Sequence, residues 1–148
     1  MVTDNKSYWL YKGKIVNTIE DVPEGVVGFI YRISSVDNEW SYIGKKNFYS
    51  FRTLPPLKGM KRKRKVVKES DWLSYTSSNK TVKEYIKNGG DKGIKREILM
   101  YCTSKKLLTY YENKLLYCNE VIEPKSNYLN DNISGKMFKS DWDKKDSP

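Results

Sequence analysis

The sequence predicts a small α/β (α+β) domain in which a central three-stranded, mostly antiparallel sheet is flanked by helices. Three observations lead there. Two short runs rich in β-branched and aromatic residues, Val26 to Ile33 and Trp40 to Gly44, are separated by a turn at Asp37-Asn38. A third run, Ile94 to Tyr101, carries apolar side chains on both faces, as an interior or helix-covered strand does. The longest helical periodicity follows it directly and extends to about Glu120. With 148 residues, the chain has room for one modest core.

Taken in order, Tyr8 to Tyr11 and Lys14 to Val16 flank a Lys12-Gly13 turn and predict a small hairpin or strand-like lead-in. It belongs to an N-terminal extension, residues 1–25, closed by Pro23-Glu24-Gly25. The main domain is expected over residues 26–132, with Val26 to Ile33 and Trp40 to Gly44 as antiparallel neighbours at its centre. Lys45 to Leu54 is basic and aromatic, and Pro55-Pro56 stops any helix there. The insert 55–68 packs seven cations into eleven residues: Lys58, Lys61, Arg62, Lys63, Arg64, Lys65 and Lys68. Such density repels itself and predicts a loop or ragged strand.

Order resumes at Glu69-Ser70-Asp71-Trp72-Leu73. Ser78 or Asn79 caps a helix from Lys80 to Lys87, with Val82, Tyr85 and Ile86 inward and Asn88-Gly89-Gly90 as its stop. In the third strand, Ile94, Arg96, Ile98 and Met100 share one face, and Glu97, Leu99 and Tyr101 the other. Thr103 or Ser104 caps the last helix. Its apolar stripe is Leu107, Leu108, Tyr111, Leu115 and Cys118, with Glu112 at the stripe's edge. A polar tail, 133–148, is expected to dock Ile133, Met137, Phe138 and Trp142 and to end in disorder.

Charge narrows the function. Against 18 acidic residues stand 28 basic ones, a net of +10, and that excess calls for a polyanionic partner. There is no histidine, so HNH-type and other histidine-dependent hydrolysis is excluded for this chain. A general base must be a tyrosine, a lysine, a carboxylate or metal-bound water. Cys102 and Cys118 lack zinc-ligand spacing and read as buried, reduced core residues. Met1 to Tyr8 has no apolar core of a signal peptide, and no run is long enough for a bilayer, so a cytoplasmic protein without a membrane partner is expected. No glycine-rich phosphate loop supports nucleotide-dependent chemistry. Tyr31 and Tyr42, brought side by side and followed by Lys45, Lys46 and Arg52, suit a phosphate. Glu112 on a later helix suits a metal.

Phe29-Ile30-Tyr31 followed by Tyr42-Ile43-Gly44 resembles the GIY-YIG nuclease signature, with phenylalanine at the first motif's glycine position and Gly28 one residue earlier. The resemblance covers residues 26 to 132. It implies a catalytic arginine on a first helix, for which Arg52 stands eight positions after Gly44. It also implies a catalytic glutamate on the helix after the third strand, matched by Glu112 in Thr109-Tyr110-Tyr111-Glu112-Asn113. Asn130 in Tyr128-Leu129-Asn130 matches a late asparagine, with Asn127 the alternative. Glu69-Ser70-Asp71-Trp72 and Tyr75-Thr76-Ser77-Ser78 look like an acidic-Ser-Asp-Trp, Tyr-x-Gly-Ser segment of phage-encoded members, with Thr76 replacing the glycine.

What the resemblance implies is a Mg²⁺-dependent DNA endonuclease, with Mn²⁺ as a substitute cation, acting in a phage-infected bacterial host. Glu112 would bind the metal and Arg52 would clamp the scissile phosphate. Tyr31 would be the general base, its proton drawn out by Lys45 or Lys46, and Tyr42 would orient water or phosphate. Asn130 would fix local backbone or phosphate geometry. Lys46 and the cations from Lys58 to Lys68 would bind nucleic acid, with Trp72 and Tyr75 either stacking on bases or packing in the core. The expected partner is double-stranded or branched DNA, with RNA as the alternative. A single active site nicks one strand per engagement, so double-strand cleavage needs a homodimer or a second visit.

Overall fold

The structure is a computed structural model that describes residues 8–89 and 93–143. Expectations about the first seven residues, Gly90 and the last five residues of the tail lie outside the described residues.

Strand β3 (Gly28–Ser35) organises the sheet because it is buried on both faces. Phe29, Tyr31 and Ile33 enter one core cluster and Ile30 enters the other, so this strand needs a neighbour on each edge and a layer over each face. It pairs antiparallel with β4 (Ser41–Asn47) through the Asp37-Asn38 turn, where Asn38 takes φ 60°. On its other edge lies β7 (Ile94–Cys102), also antiparallel. That much is the expected three-stranded sheet.

The sheet is larger than expected. It has five strands in the order β2-β1-β7-β3-β4 and is mixed, because β1 (Trp9–Tyr11) runs parallel to β7 before turning into β2 (Lys14–Val16). Trp9 supplies the reason. Its indole is fully buried, with ring centroids 5.0 Å from Phe29 and 5.4 Å from Tyr31, and its Nε1 donates to the Trp72 carbonyl at 2.7 Å. Burying that side chain holds the hairpin in the sheet.

One face is covered by the Trp72 segment and by α1 (Lys80–Gly89), which docks through Val82 and Ile86. Asn79 caps α1, its Oδ1 accepting from Val82 N at 3.0 Å. Tyr85, expected inward, is half exposed and packs its ring 5.5 Å from Trp40. The other face is covered by α2 (Lys105–Cys118), capped by Ser104, with Leu108 and Leu116 buried and Val121, Ile122 and Ile133 completing the layer. Leu107 and Cys118 are exposed, not part of the stripe, so Cys118 is no core cysteine, whereas Cys102 is.

The facing along β7 also needs correction. The β3–β7 register shifts between Ile30 and Tyr31, which skips Leu99. A bulge of one residue reverses the alternation beyond it. Met100 therefore joins the α2 face, and Tyr101 joins Ile94 and Ile98 on the α1 face.

The basic insert is part loop and part strand: residues 55–63 form a turn-containing tip, and 64–68 belong to a strand. Strand β6 (Arg64–Glu69) pairs antiparallel with β5 (Tyr49–Leu54) in a two-stranded ribbon outside the main sheet. Every residue of β6 is exposed, so its cations stay solvated while the backbone is satisfied. In the tail, β8 (Asn132–Ile133) and β9 (Met137–Phe138) form a minimal hairpin that leads into a 3-10 turn, Lys139–Asp143. Only Ile133 docks; Met137, Phe138 and Trp142 remain exposed. Among the described residues no helix is long and apolar enough to cross a membrane.

The β3–β4 register is locked by one glycine. Gly44 pairs with Tyr31, whose phenol lies across it so closely that a Cβ would sit 2.5 Å from the hydroxyl and 2.7 Å from Cζ. Gly44→Ala should cost about 1–3 kcal/mol by overpacking in a urea unfolding curve. In a Tyr31→Leu background the same substitution should cost markedly less, and an unchanged cost would show that the ring is not what excludes the methyl.

Candidate active site

Pairing fixes which side chains meet. Along β4 the faces alternate, so Tyr42, Gly44 and Lys46 look toward the α1 side, while Ile43 and Lys45 look toward α2. The sequence-predicted residues therefore divide between the two faces of an edge strand.

On the α2 side, Lys45 Nζ donates to Thr109 Oγ1 at 2.9 Å and lies 4.0 Å from Glu112 Oε1. Thr109 and Glu112 are three residues apart on the helix and so share the face that meets the lysine. Glu112 is mostly buried, and that burial raises its carboxyl above the ordinary value, with Lys45 offsetting only part. Its ionised form is thus under-solvated and gains from a further cation. Among the described residues no group of three or more histidine, cysteine, aspartate or glutamate side chains could hold a metal. A single carboxylate fits a hard cation that keeps several waters, such as Mg²⁺, and does not fit zinc.

On the α1 side, Tyr31, Tyr42 and Tyr75 form a phenol cluster. The Tyr31 ring lies 6.3 Å from Tyr42 and 6.0 Å from Tyr75, centroid to centroid. The Ser77 hydroxyl lies beside both phenols and opposes the upward shift that burial imposes on them. Ser77 is itself buried, accepts from Asn79 N at 2.8 Å, and holds φ 142°, a backbone value that favours glycine. Sequence reading missed Ser77 as a site residue. It assigned the lost glycine to Thr76, but in the spacing Tyr-x-Gly-Ser the glycine position is residue 77, where the backbone now shows the strain.

Tyr31 does not have the surroundings of a general base. It is buried, and burial first, then the neighbouring Tyr75 and Tyr42 phenols, push its pKa up; it stays neutral. Neither lysine assists. Lys45 lies on the opposite face, and Lys46 pairs with Asp71 at 2.6 Å and stacks 4.0 Å from the Tyr75 ring. Tyr42 is raised too, chiefly by burial, and it senses the charges of Tyr75, Glu112 and Asp131. It is thus the phenol whose field links the two faces.

Asn130 is buried and bridges the strand edge. Its Nδ2 donates to Ile43 O at 2.8 Å and its Oδ1 accepts from Ile43 N at 3.1 Å. With Leu129 N donating to Ser41 O at 2.7 Å, the segment 127–130 covers β4 as far as Ile43. Amides on an edge strand point outward at alternate residues, so the open edge starts at Lys45, next to Glu112.

Arg52 departs from expectation, and Trp72 takes the packing role rather than the base-stacking one. Arg52 lies on β5, not a helix, and strand alternation puts it on the opposite ribbon face from Phe51, which meets Lys105 of α2 at 5.0 Å. Among the described residues the cation paired with Glu112 is Lys45, not Arg52 and not Lys105 or Lys106. Trp72 is fully buried, its Nε1 donating to Glu69 Oε2 at 3.0 Å, and cannot stack on a base. Between the ribbon root and α2, Lys45, Lys46, Ser70, Phe51 and Lys105 line a basic cleft continuous with Lys45's contact to Glu112.

Comparison with known proteins adds one match. A family model described as "Putative endonuclease segE, GIY-YIG domain" covers residues 9–133, which includes the β1–β2 hairpin. Neither curated proteins nor solved structures gave a match.

Two outcomes are expected. Ser77→Gly should exceed Ser77→Ala in stability by about 1–3 kcal/mol, because both lose the hydroxyl and only glycine relieves the backbone; equal urea midpoints would refute stored strain. A carboxyl raised on folding contributes stability below its unfolded pKa and loses it as pH rises through the folded one. Glu112→Gln should therefore be more stable than the parent at neutral pH, with the advantage vanishing toward about pH 4. A parent more stable at neutral pH would mean that Lys45 outweighs desolvation.

Proposed function

We propose that this chain, which belongs to the GIY-YIG endonuclease domain family, is a metal-dependent DNA endonuclease that nicks one strand per engagement. The observation that carries the reading is Glu112: a mostly buried carboxylate, short of solvation, beside Lys45 at the start of an open strand edge. A buried carboxylate with one loosely placed cation at 4.0 Å is poised for another, and the adjoining cleft is basic, as a phosphate backbone requires.

Phosphodiester hydrolysis needs an oriented water, positive charge at the phosphoryl oxygens and help for the leaving oxygen. Glu112 would hold Mg²⁺, or Mn²⁺ in its place, which when bound supplies charge at the phosphoryl oxygens and acidifies water. Lys45, anchored by Thr109, places an ammonium at the same phosphate, in the part first expected of Arg52. Tyr42, kept neutral by burial, orients the attacking water by its hydroxyl. Tyr31 holds that arrangement rigid from below and takes no proton. Asn130 keeps the strand edge closed up to Ile43, so substrate meets the edge only from Lys45 onward. With one such site per chain, cutting both strands of a duplex takes a second subunit or a second visit.

The test is cleavage of supercoiled plasmid by the purified chain with Mg²⁺, against EDTA. Nicked circles should appear first, should require the cation, and should fall about a hundredfold or more in Glu112→Ala. Tyr31→Phe should retain far more activity than Tyr42→Phe. Cleavage that survives both EDTA and Glu112→Ala, or a Tyr31→Phe enzyme as dead as Glu112→Ala, would overturn this assignment.

A further inference from the structure

The β5–β6 ribbon carries most of the molecule's excess charge on a small surface. Eight cations and one carboxylate lie between Tyr49 and Glu69, a net of +7 out of the chain's +10. Six paired positions make it roughly 20 Å long at about 3.4 Å per residue. Two antiparallel strands with their side chains match the roughly 12 Å width of a B-DNA major groove, which admits such a ribbon. A flexible basic loop would reach phosphates only; a paired ribbon presents side chains at fixed spacing.

Its orientation is fixed at the root. Phe48 precedes β5 and Trp72 follows β6 closely; both rings are fully buried and meet at 4.9 Å, edge to face. Ser70 N donates to Phe48 O at 2.8 Å and Ser70 Oγ to Asn47 O at 2.6 Å, which ties the second strand to the end of β4. One ribbon face is anchored at its root by Tyr49 against the core and carries the exposed Phe51 beneath Lys105. The other face carries the cross-strand pairs Ser50 with Lys68, Arg52 with Val66 and Leu54 with Arg64. Arg64 Nε donates to Pro55 O at 3.3 Å, which steadies its stem.

That second face holds hydrogen-bond donors suited to guanine O6 and N7, a hydroxyl that serves any base, and a valine for a thymine methyl. We propose that the ribbon enters the major groove of duplex DNA and reads base edges with Ser50, Arg52, Arg64, Val66 and Lys68, making this endonuclease duplex-dependent and sequence-selective. The inference rests on the reading of the chain as a DNA endonuclease. The tip cations Lys58, Lys61, Arg62 and Lys63 hold the flanking phosphates. From its root the bound backbone passes over the Lys46 and Lys105 cleft to Lys45 and Glu112.

The test uses the full chain as Glu112→Gln, so that DNA survives, and selects from a pool of duplexes with a randomised core. A consensus should be enriched. Methylating its guanines at N7, in the major groove, should weaken binding tenfold or more, and an RNA duplex of the same sequence should bind at least tenfold less tightly. Arg64→Gln/Lys68→Gln should abolish the consensus, whereas Lys58→Gln/Lys61→Gln should weaken all sequences alike and keep it. No enrichment, or indifference to N7 methylation, or equal binding of RNA, would overturn the proposal. With Glu112 restored, plasmid cleavage by Arg64→Gln/Lys68→Gln at dispersed sites supports it, and cleavage at unchanged sites refutes it while leaving the endonuclease standing. A consensus bound by a chain that cuts nothing would keep the ribbon and overturn the endonuclease.

Discussion

The Tyr31 phenol lying across Gly44 is the contact on which the site depends. It admits only one register between β3 and β4, because any side chain at position 44 would displace the ring. With that register set, Lys45 has to face α2 and Lys46 has to face the phenol cluster. A slip of one residue would exchange them, sending the Glu112 partner to Asp71 and the Asp71 partner to Glu112. The two motif tyrosines thus serve geometry before chemistry. Tyr31 is a spacer whose neutrality follows from burial, and Tyr42, the less deeply buried of the two, is the one we propose to meet the attacking water.

The electrostatics of the site are those of a poised, incompletely paired charge. Glu112 has lost water to burial, and Lys45 returns only part of the loss, since it stands at the limit of an ion pair and shares its ammonium with Thr109. Lys46, one residue on, is committed to Asp71 and the Tyr75 ring. Two adjacent lysines with the same chemistry therefore have different work: one is structural glue and the other stays available beside the carboxylate. Strand alternation makes that division, and side-chain chemistry has no part in it.

Much of this was legible in the chain. The two tyrosine strands, their turn and the helix bearing Glu112 follow from local periodicity, and local signals dictate them because each satisfies its own pattern. What was not legible depended on distant partners. Parallel pairing of Trp9–Tyr11 with β7 is driven by where an indole finds a pocket, and no three-residue window contains that information. Trp72 sits in a polar stretch that suits stacking and packing equally; its burial comes from Phe48 and Trp9 across the sheet. Seven clustered cations argue for repulsion, and four of them, Lys58, Lys61, Arg62 and Lys63, do lie in a loop at the ribbon's tip. Arg64, Lys65 and Lys68 are divided between the two faces of an exposed strand, where they remain hydrated, and Val66-Val67 opposite Phe51 and Arg52 supplies the β-forming pairs. The bulge at Leu99 reversed a facing that simple alternation had assigned.

The ribbon begins and ends at nearly one point, since Tyr49 pairs with Glu69 and both roots are nailed by buried aromatics. An element attached that way behaves as a cassette. Lengthening it adds little closure entropy and leaves the sheet, the phenol cluster and the Glu112 helix undisturbed. The hairpin can therefore change in length without moving Lys45, Glu112 or the phenol cluster, so the surface that holds most of the excess charge is mechanically separable from the pocket that holds the buried carboxylate.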